Sequence, residues 1–305
     1  MIASFAVHSL AQQEAMNAQF ILNTLTVNPG YTGYKEVQSF TIDHRSQWVG
    51  FKGAPTTNNL SFDMALPRNK EMAFGGTIMH DNIGPTSELS LSGNVAYRFY
   101  VNRNAQLSFG LKGYVGLFQA NFTGLELASG RFGQEDINFS YDASSELILN
   151  FGAGAYYHSE DYFIGISSPR LFKNRIDNNN LETYNTIRGR TAPTYYFMGG
   201  YNFHCNMWLD FQPAILTKTT MGAPLSIGLY GSFLMRSKWR LGGFYTLAEA
   251  GGVMLQMQVS EKLKVGYSFD VAANALISTN LGSHEIGITY DMKTFSKRMV
   301  YPRRF

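Results

Sequence analysis

Between about residues 37 and 292 the chain is a succession of short segments in which one parity is apolar and the other small or polar. A period of two is the mark of strands with two different faces. In one segment Leu225, Ile227, Leu229, Phe233 and Met235 interleave with Ser226, Gly228, Tyr230 and Ser232. In another, Leu107, Phe109, Leu111, Val115 and Leu117 alternate with Ser108, Gly110, Lys112, Tyr114 and Gly116. A third sets Leu263, Val265, Tyr267, Phe269 and Val271 against Lys264, Gly266, Ser268 and Asp270, which puts charges on the second face in mid-strand. Lipid suits the first face and an aqueous lumen the second. Strands are predicted near 38–45, 58–66, 71–79, 87–99, 105–118, 145–157, 160–167, 194–203, 206–216, 225–235, 238–247, 251–259, 262–271 and 284–292. That makes about fourteen.

The connections give the array an orientation. Pro67 to Lys70, Val101 to Asn104, Ser159, the His204-Cys205 step, Arg236-Ser237 and Ser260-Glu261 are tight, while Gln119 to Ser144 and Ser168 to Pro193 are long. Outer-membrane barrels have short periplasmic turns and long extracellular loops, and an even strand number returns both termini to the periplasm. Phe99, Tyr100, Tyr157, Tyr162, Phe163, Phe203, Trp208 and Trp239 fall beside the tight turns, where rings with one wet and one oily edge collect at a bilayer interface. A soluble β-sandwich also holds many rings, but gives no reason for them to gather at turn ends. The fold expected is therefore all-β: a transmembrane antiparallel β-barrel of about 14 strands with periplasmic termini and extracellular long loops.

Composition agrees. Aromatic residues make up 14% and charged residues only 15% of the 305, too few charges to clothe a soluble surface of that size. Mean hydropathy is −0.15 and no run of about 18 apolar residues offers a membrane helix, so the apolar residues are distributed along strands. The net charge of +3 is spread along the chain with no basic stripe, which argues against a nucleic-acid partner. A single cysteine, Cys205, excludes an intrachain disulfide and a cysteine-built metal site.

Ile2 to Leu10 is a short apolar run ending in Ser9-Leu10-Ala11, with small residues at the two positions a signal peptidase reads, although no basic residues precede it. The organisation expected is a truncated signal peptide at 1–11, an N-terminal periplasmic segment at 12–36, the barrel at 37–292 and a C-terminal periplasmic tail at 293–305.

Catalysis needs polar groups that converge on one point. His44, His80 and His284 lie at the outer ends of the first, third and last strands but share parity with Phe40 and Ile42, Phe74 and Ile78, and Ile286 and Ile288, so they point outward at headgroup level. His158 and His204 lie at the opposite end. Asp43 and Asp81 have inward parity and could line the lumen mouth, the only footing for a hydrolase at the rim. No Gly-x-Ser-x-Gly elbow, His-Glu-x-x-His helix or phosphate-binding glycine loop is present. The expectation is no enzyme, no cofactor and no metal. Recognition is better carried by the loops, and 168–193 holds Arg170, Lys173, Arg175, Arg188 and Arg190 with Asp177 and Glu182.

Two glycine- and proline-turned stretches remain, Asn28-Pro29-Gly30-Tyr31-Thr32-Gly33 and Arg45-Ser46-Gln47-Trp48-Val49-Gly50-Phe51-Lys52-Gly53-Ala54-Pro55. Together they resemble the PorP/SprF family of type IX secretion and gliding-associated membrane proteins of Bacteroidota. The family's Asn-Pro-Ala-Tyr-Ala-Gly signature stands here with Gly30 and Thr32 substituted, and its Arg-x-Gln-Trp-x-Gly-x-x-Gly-Ala-Pro signature is unbroken. Ser283-His284-Glu285-Ile286 and the ending Tyr301-Pro302-Arg303-Arg304-Phe305 are similar to the family's last strand and tail. The resemblance implies an outer-membrane barrel that works with a secreted cargo protein through its type IX C-terminal domain and with periplasmic components linked to peptidoglycan. It makes Asn28, Pro29, Gly30, Tyr31, Gly33, Arg45, Gln47, Trp48, Gly50, Gly53, Ala54 and Pro55 the candidate partner-binding residues. A diffusion channel without a dedicated partner and a rim hydrolase are the competing readings.

Overall fold

The computed structural model describes residues 19–292 apart from 68, 103, 123–142, 177–188 and 274–280, and gives no side chains for 143–145, 175–176 and 189–191. The signal segment, the C-terminal tail, most of the loop at 119–144 and residues 177–188 of the loop at 168–193 lie outside the described residues. Among the described residues no helix is long and apolar enough to cross a membrane, and the crossing is made by strands.

The strands run β1 Gln38–Ser46, β2 Thr56–Ala65, β3 Met72–Ile83, β4 Thr86–Tyr100, β5 Gln106–Ala120, β6 Ala143–His158, β7 Tyr162–Arg170, β8 Asn174–Ile176, β9 Gly189–Thr191, β10 Thr194–Tyr201, β11 Phe203–Asn206, β12 Leu209–Thr220, β13 Ser226–Met235, β14 Trp239–Thr246, β15 Ala250–Gln258, β16 Leu263–Ala272 and β17 Ser283–Met292. β8 and β9 pair only with each other, as a small hairpin beyond the barrel. β10 and β11 are one barrel strand interrupted at Asn202, and both pair with β12. Every other neighbour is the next strand in sequence, β1 pairs with β17, and β7–β10–β12 completes the ring. The result is a closed antiparallel barrel of 14 strands. Closure leaves no strand edge exposed, which a sheet surrounded by lipid requires.

Alternation sets the two faces. In β5, Gln106, Ser108, Gly110, Lys112, Tyr114, Gly116, Phe118 and Ala120 are buried inward, while Phe109, Leu111, Val115 and Leu117 are exposed outward. The aromatic belt at the short-turn end holds the pair Tyr97 and Phe99 and a chain of ring contacts from Tyr157 through Tyr162, Tyr201, Phe203 and Phe211 to Phe233. Phe163 departs from the expectation, being buried and turned into the lumen.

Three further details differ from the sequence reading. The turn expected at His204-Cys205 lies at Met207-Trp208, because Asn202 breaks the ladder and Phe203–Asn206 resumes it. β3 and β4 are longer than expected and leave only Gly84-Pro85 between them, and Leu247 to Glu249 is also short. The outer side therefore mixes tight and long connections. The largest difference is the N-terminal segment. Residues 19–36, expected as part of a periplasmic segment at 12–36, lie inside the barrel.

Candidate functional site: a plugged lumen and its outer rim

The segment from Gln19 to Glu36 descends through the lumen and joins β1 at the short-turn end. It contains two single 3-10 turns, Thr24–Thr26 and Pro29–Tyr31, and little other regular structure. Such a segment cannot satisfy its own backbone and must borrow partners from the wall. Gln19 meets Glu285 on β17 through its backbone N–H at 3.3 Å, and accepts from Gln256 on β15 at 3.3 Å. Asn23 donates to Asp43 at 2.7 Å and to Ser61 at 3.0 Å. Ser167 donates to the carbonyl of Val27 at 2.8 Å, and the N–H of Gly33 donates to Asp63 at 2.9 Å. Arg98 donates to the Gly33 carbonyl at 2.6 Å. At the short-turn end Lys35 pairs with Asp291 at 3.3 Å and Glu36 with Lys70 at 3.6 Å.

Two kinds of wall meet two faces of this plug. Asp43, Ser61, Asp63, Gln256 and Glu285 supply a polar wall on β1, β2, β15 and β17. The opposite wall is apolar: Phe20, Leu25, Val27, Tyr31 and Tyr34 of the plug pack with Tyr156, Phe163, Tyr196, Met198, Leu216, Tyr230, Phe244 and Met254. Phe20 meets Tyr230 edge-on at 4.7 Å between centroids, and Tyr31 and Tyr34 both stand edge-on to Tyr156, at 5.4 and 5.7 Å. Each such side chain contributes about 1.5–3 kcal/mol by leaving water.

The signature turn sits where the wall is smoothest. Ala65, Ala73, Ala96, Gly110, Gly154 and Ser167 are successive cross-strand partners on β2 to β7, a row of small inward residues. A Cβ on Gly110 would overlap the Pro29 carbonyl, and one on Gly154 would overlap the Asn28 side chain. Asn28 is fully buried and holds the turn from within, accepting from the Gly30 N–H at 2.8 Å and donating to the Ala155 carbonyl at 3.1 Å. Gly33, with φ of 72°, is in the left-handed region that favours glycine, and a side chain there would strike Ala73. Asn28, Pro29, Gly30, Tyr31 and Gly33 thus face the wall from inside the lumen. Asn28→Ala should lower stability by about 1–2 kcal/mol, read as an earlier thermal midpoint for loss of the compact, unboiled gel form.

The second signature builds the rim on the long-loop side. Arg45 points into the lumen and bridges Asp270 at 2.8 Å and Glu285 at 3.2 Å, all three side chains being buried. The loop beyond it is fixed by backbone bonds. Gln47 donates to the Pro55 carbonyl at 2.9 Å, and Gly84 donates to Gly53 at 3.0 Å. Val49 and Leu281 join this loop to the start of the neighbouring strand β17, the Val49 N–H donating to Gly282 and the Leu281 N–H to Val49, both at 2.8 Å. Trp48, Gly50 and Gly53 take positive φ, of 45°, 96° and 79°, which sets the sharp turns of this loop. The tip residues Gly50, Phe51, Lys52 and Gly53 are exposed. The signature positions make the frame, and Phe51 and Lys52, which the sequence reading passed over, are the side chains it holds out.

His44, His80 and His284 face outward, and Asp43 and Asp81 inward, as expected from parity. Asp43 is taken by Asn23 and Asn59, and Asp81 accepts from Thr57 at 2.6 Å. Glu88, Tyr114 and Arg170 form a second inward cluster, with Glu88 accepting from Tyr114 and lying 3.5 Å from Arg170. Among the described residues no three His, Cys, Asp or Glu side chains gather as a metal site.

Comparison with known proteins follows this architecture. Among solved structures the chain is similar to the Ralstonia pickettii toluene transporter TbuX, at 11% identity over 88% of this chain and 93% of that one, with a TM-score of 0.52. It is also similar to the KdgM porin, at 8% identity over 83% of this chain and 99% of that one, with a TM-score of 0.41. At these identities the likeness concerns the barrel fold alone. No curated protein matches the chain. The model of the family described as type IX secretion system membrane protein PorP/SprF matches residues 9–290, with both signatures inside that span, and the chain belongs to that family.

Proposed function

We propose that this barrel is a docking and anchoring platform for a protein secreted by the type IX system, that it engages the cargo's C-terminal domain at the outer rim, and that it is neither a diffusion channel nor an enzyme. The observation that carries this reading is the plug: residues 19–36 occupy the lumen and hydrogen-bond or pack against inward side chains around it. A filled lumen supports recognition at the rim over docking within the barrel. The rim loop supports it further, because loops fixed on a rigid scaffold give up little freedom when a partner binds. Periplasmic components of the same system would meet the opposite end, where the short turns lie.

The test is affinity purification of the tagged, full-length barrel from outer membranes of cells that secrete type IX cargo. One large secreted protein should co-purify through its C-terminal domain, and Phe51→Ala with Lys52→Ala should reduce the yield about tenfold while the barrel assembles normally. Recovery of the barrel alone, together with steady conductance of the intact protein in planar bilayers, would favour the channel. Loss of a hydrolytic activity in Asp43→Asn or Asp81→Asn would favour the rim enzyme.

A further inference from the structure

The lipid-facing surface is not uniform. On β5 the outward residues Leu107, Phe109, Leu111, Val115 and Leu117 form an apolar run. A strand tilted in a barrel gains about 2.5 Å of height per residue, so this run covers the roughly 25 Å apolar band of an outer membrane. β6 and β7 continue it with Leu147, Leu149, Phe151, Ile164 and Ile166. On β1 the outward apolar residues are only Phe40 and Ile42, and the next outward position is His44.

That histidine belongs to a patch. His44 is the cross-strand partner of Asn58 on β2, and Asn58 of His80 on β3. Ser46 is the partner of His284 on β17, and Asn82 of Ser87 on β4. These outward-facing residues are adjacent across β17 and β1 to β4. Cross-strand bonds tie them together: His44 Nδ1 to Asn58 Oδ1 at 2.8 Å, His80 Nε2 to Ser87 Oγ at 3.1 Å, and His284 Nδ1 to the Tyr267 hydroxyl at 2.7 Å. His44 and His284 stand directly above Ile42 and Ile286 on the outward face, so on β1 only two apolar outward positions precede the patch, against the five of the run on β5. Directly above it the signature loop is fastened to Gly282 on one side and Gly84 on the other, which holds the outer ends of these strands in place.

We propose that this sector is a lateral seat for a second integral membrane protein, whose hydrogen-bonding side chains meet the patch within the bilayer. Both ring nitrogens of His44 are already bonded, Nε2 meeting Ser46 Oγ at 3.0 Å. A partner's polar face therefore serves the remaining amide and hydroxyl groups of Asn58, Asn82 and Ser87, each of which costs about 1–3 kcal/mol where it faces hydrocarbon unbonded. The chemistry selects protein over lipid headgroups. The patch consists of imidazole, amide and hydroxyl groups with no Lys or Arg, whereas lipid phosphates are held by cationic side chains. The seat lies on the barrel's flank, beneath the rim at which cargo docking is proposed, so both can be occupied together.

The experiment places the photo-crosslinker p-benzoylphenylalanine in the full-length chain at Asn58, at His80 and, as a control, at Leu111, and irradiates intact cells. Positions 58 and 80 should give one adduct of discrete mass with a protein that stays in the membrane after urea extraction, and position 111 should give none. With the probe at Asn82, the variant His44→Leu, Asn58→Leu, His80→Leu should lose that adduct at least tenfold while the barrel keeps its compact unboiled form. Adducts with lipopolysaccharide alone, with a urea-extractable protein, or of equal yield at 111 would overturn the proposal. If the leucine variant fails to assemble, the comparison of 58 and 80 with 111 decides.

Discussion

Gly110→Val should turn a blocked barrel into a conducting one. Gly110 stands on β5 beneath the signature turn, where a Cβ would overlap the Pro29 carbonyl and the Gly30 nitrogen. Those are backbone atoms that cannot rotate away. Valine is well suited to a strand, so the conflict falls on the plug and leaves β5 in place. Overpacking of this kind costs about 1–3 kcal/mol where the surroundings can adjust, and more where they cannot. The plug yields, held by far fewer backbone bonds than β5, and once the turn lifts it also loses the Asn28 bond to Ala155 and the Ser167 bond to Val27, which loosens the rest of its hold. A barrel of this size has an interior wider than the roughly eight-stranded kind that side chains fill alone, so a vacated lumen should pass ions. The variant should show stepwise conductance in planar bilayers where the wild type shows little. Gly113→Val, on the same strand with open space around its Cβ, should behave as wild type. Equal conductance in the two variants would refute the assignment of the plug as the block.

The same region shows what the sequence discloses and what it withholds. Strand number, inward and outward parity, the orientation of His44 and Asp43 and the aromatic belt all follow from a period of two, which lipid enforces at every outward position. The plug obeys no period. Asn28 to Gly33 reads as turn chemistry wherever it stands, and only tertiary contact decides that it stands inside. A trace was nevertheless present. Tyr114, Tyr156, Tyr196 and Tyr230 fall on the inward parity, and rings that large on a lumen face ask for a packing partner. Leu216 and Met198, inward among outward Phe197 and Ile215, repeat the hint. The row from Ala65 to Gly154 was invisible because its members come from five strands, and only the register aligns them. The same holds for the polar flank patch, in which each strand contributes one or two residues that look unremarkable alone.

The other large effect is expected at Arg45, the first residue of the rim signature. Its guanidinium lies between Asp270 on β16 and Glu285 on β17, at 2.8 and 3.2 Å, and the three side chains are 2–8% exposed. Arg45→Ala leaves two buried carboxylates facing each other without a cation. Breaking a buried pair from one side costs about 3–5 kcal/mol, mostly the penalty on the charge left behind. The variant should convert from the compact to the unfolded gel form at a markedly lower temperature, and the loop from Gln47 to Pro55 should become sensitive to added protease at the cell surface. Adding Asp270→Asn and Glu285→Gln to Arg45→Ala removes the stranded charges and should recover most of the thermal stability. Protease sensitivity should persist in that triple variant, because β1 keeps its backbone ladder to β17 but still lacks the side-chain tie from Arg45 that reaches across to β16 at the root of the loop. Arg45→Lys should recover only part of either property, since one ammonium cannot reproduce a planar fork shared between two carboxylates. Recovery of both properties in the triple variant would mean that charge balance alone, with no mechanical tie, is what Arg45 supplies to the rim.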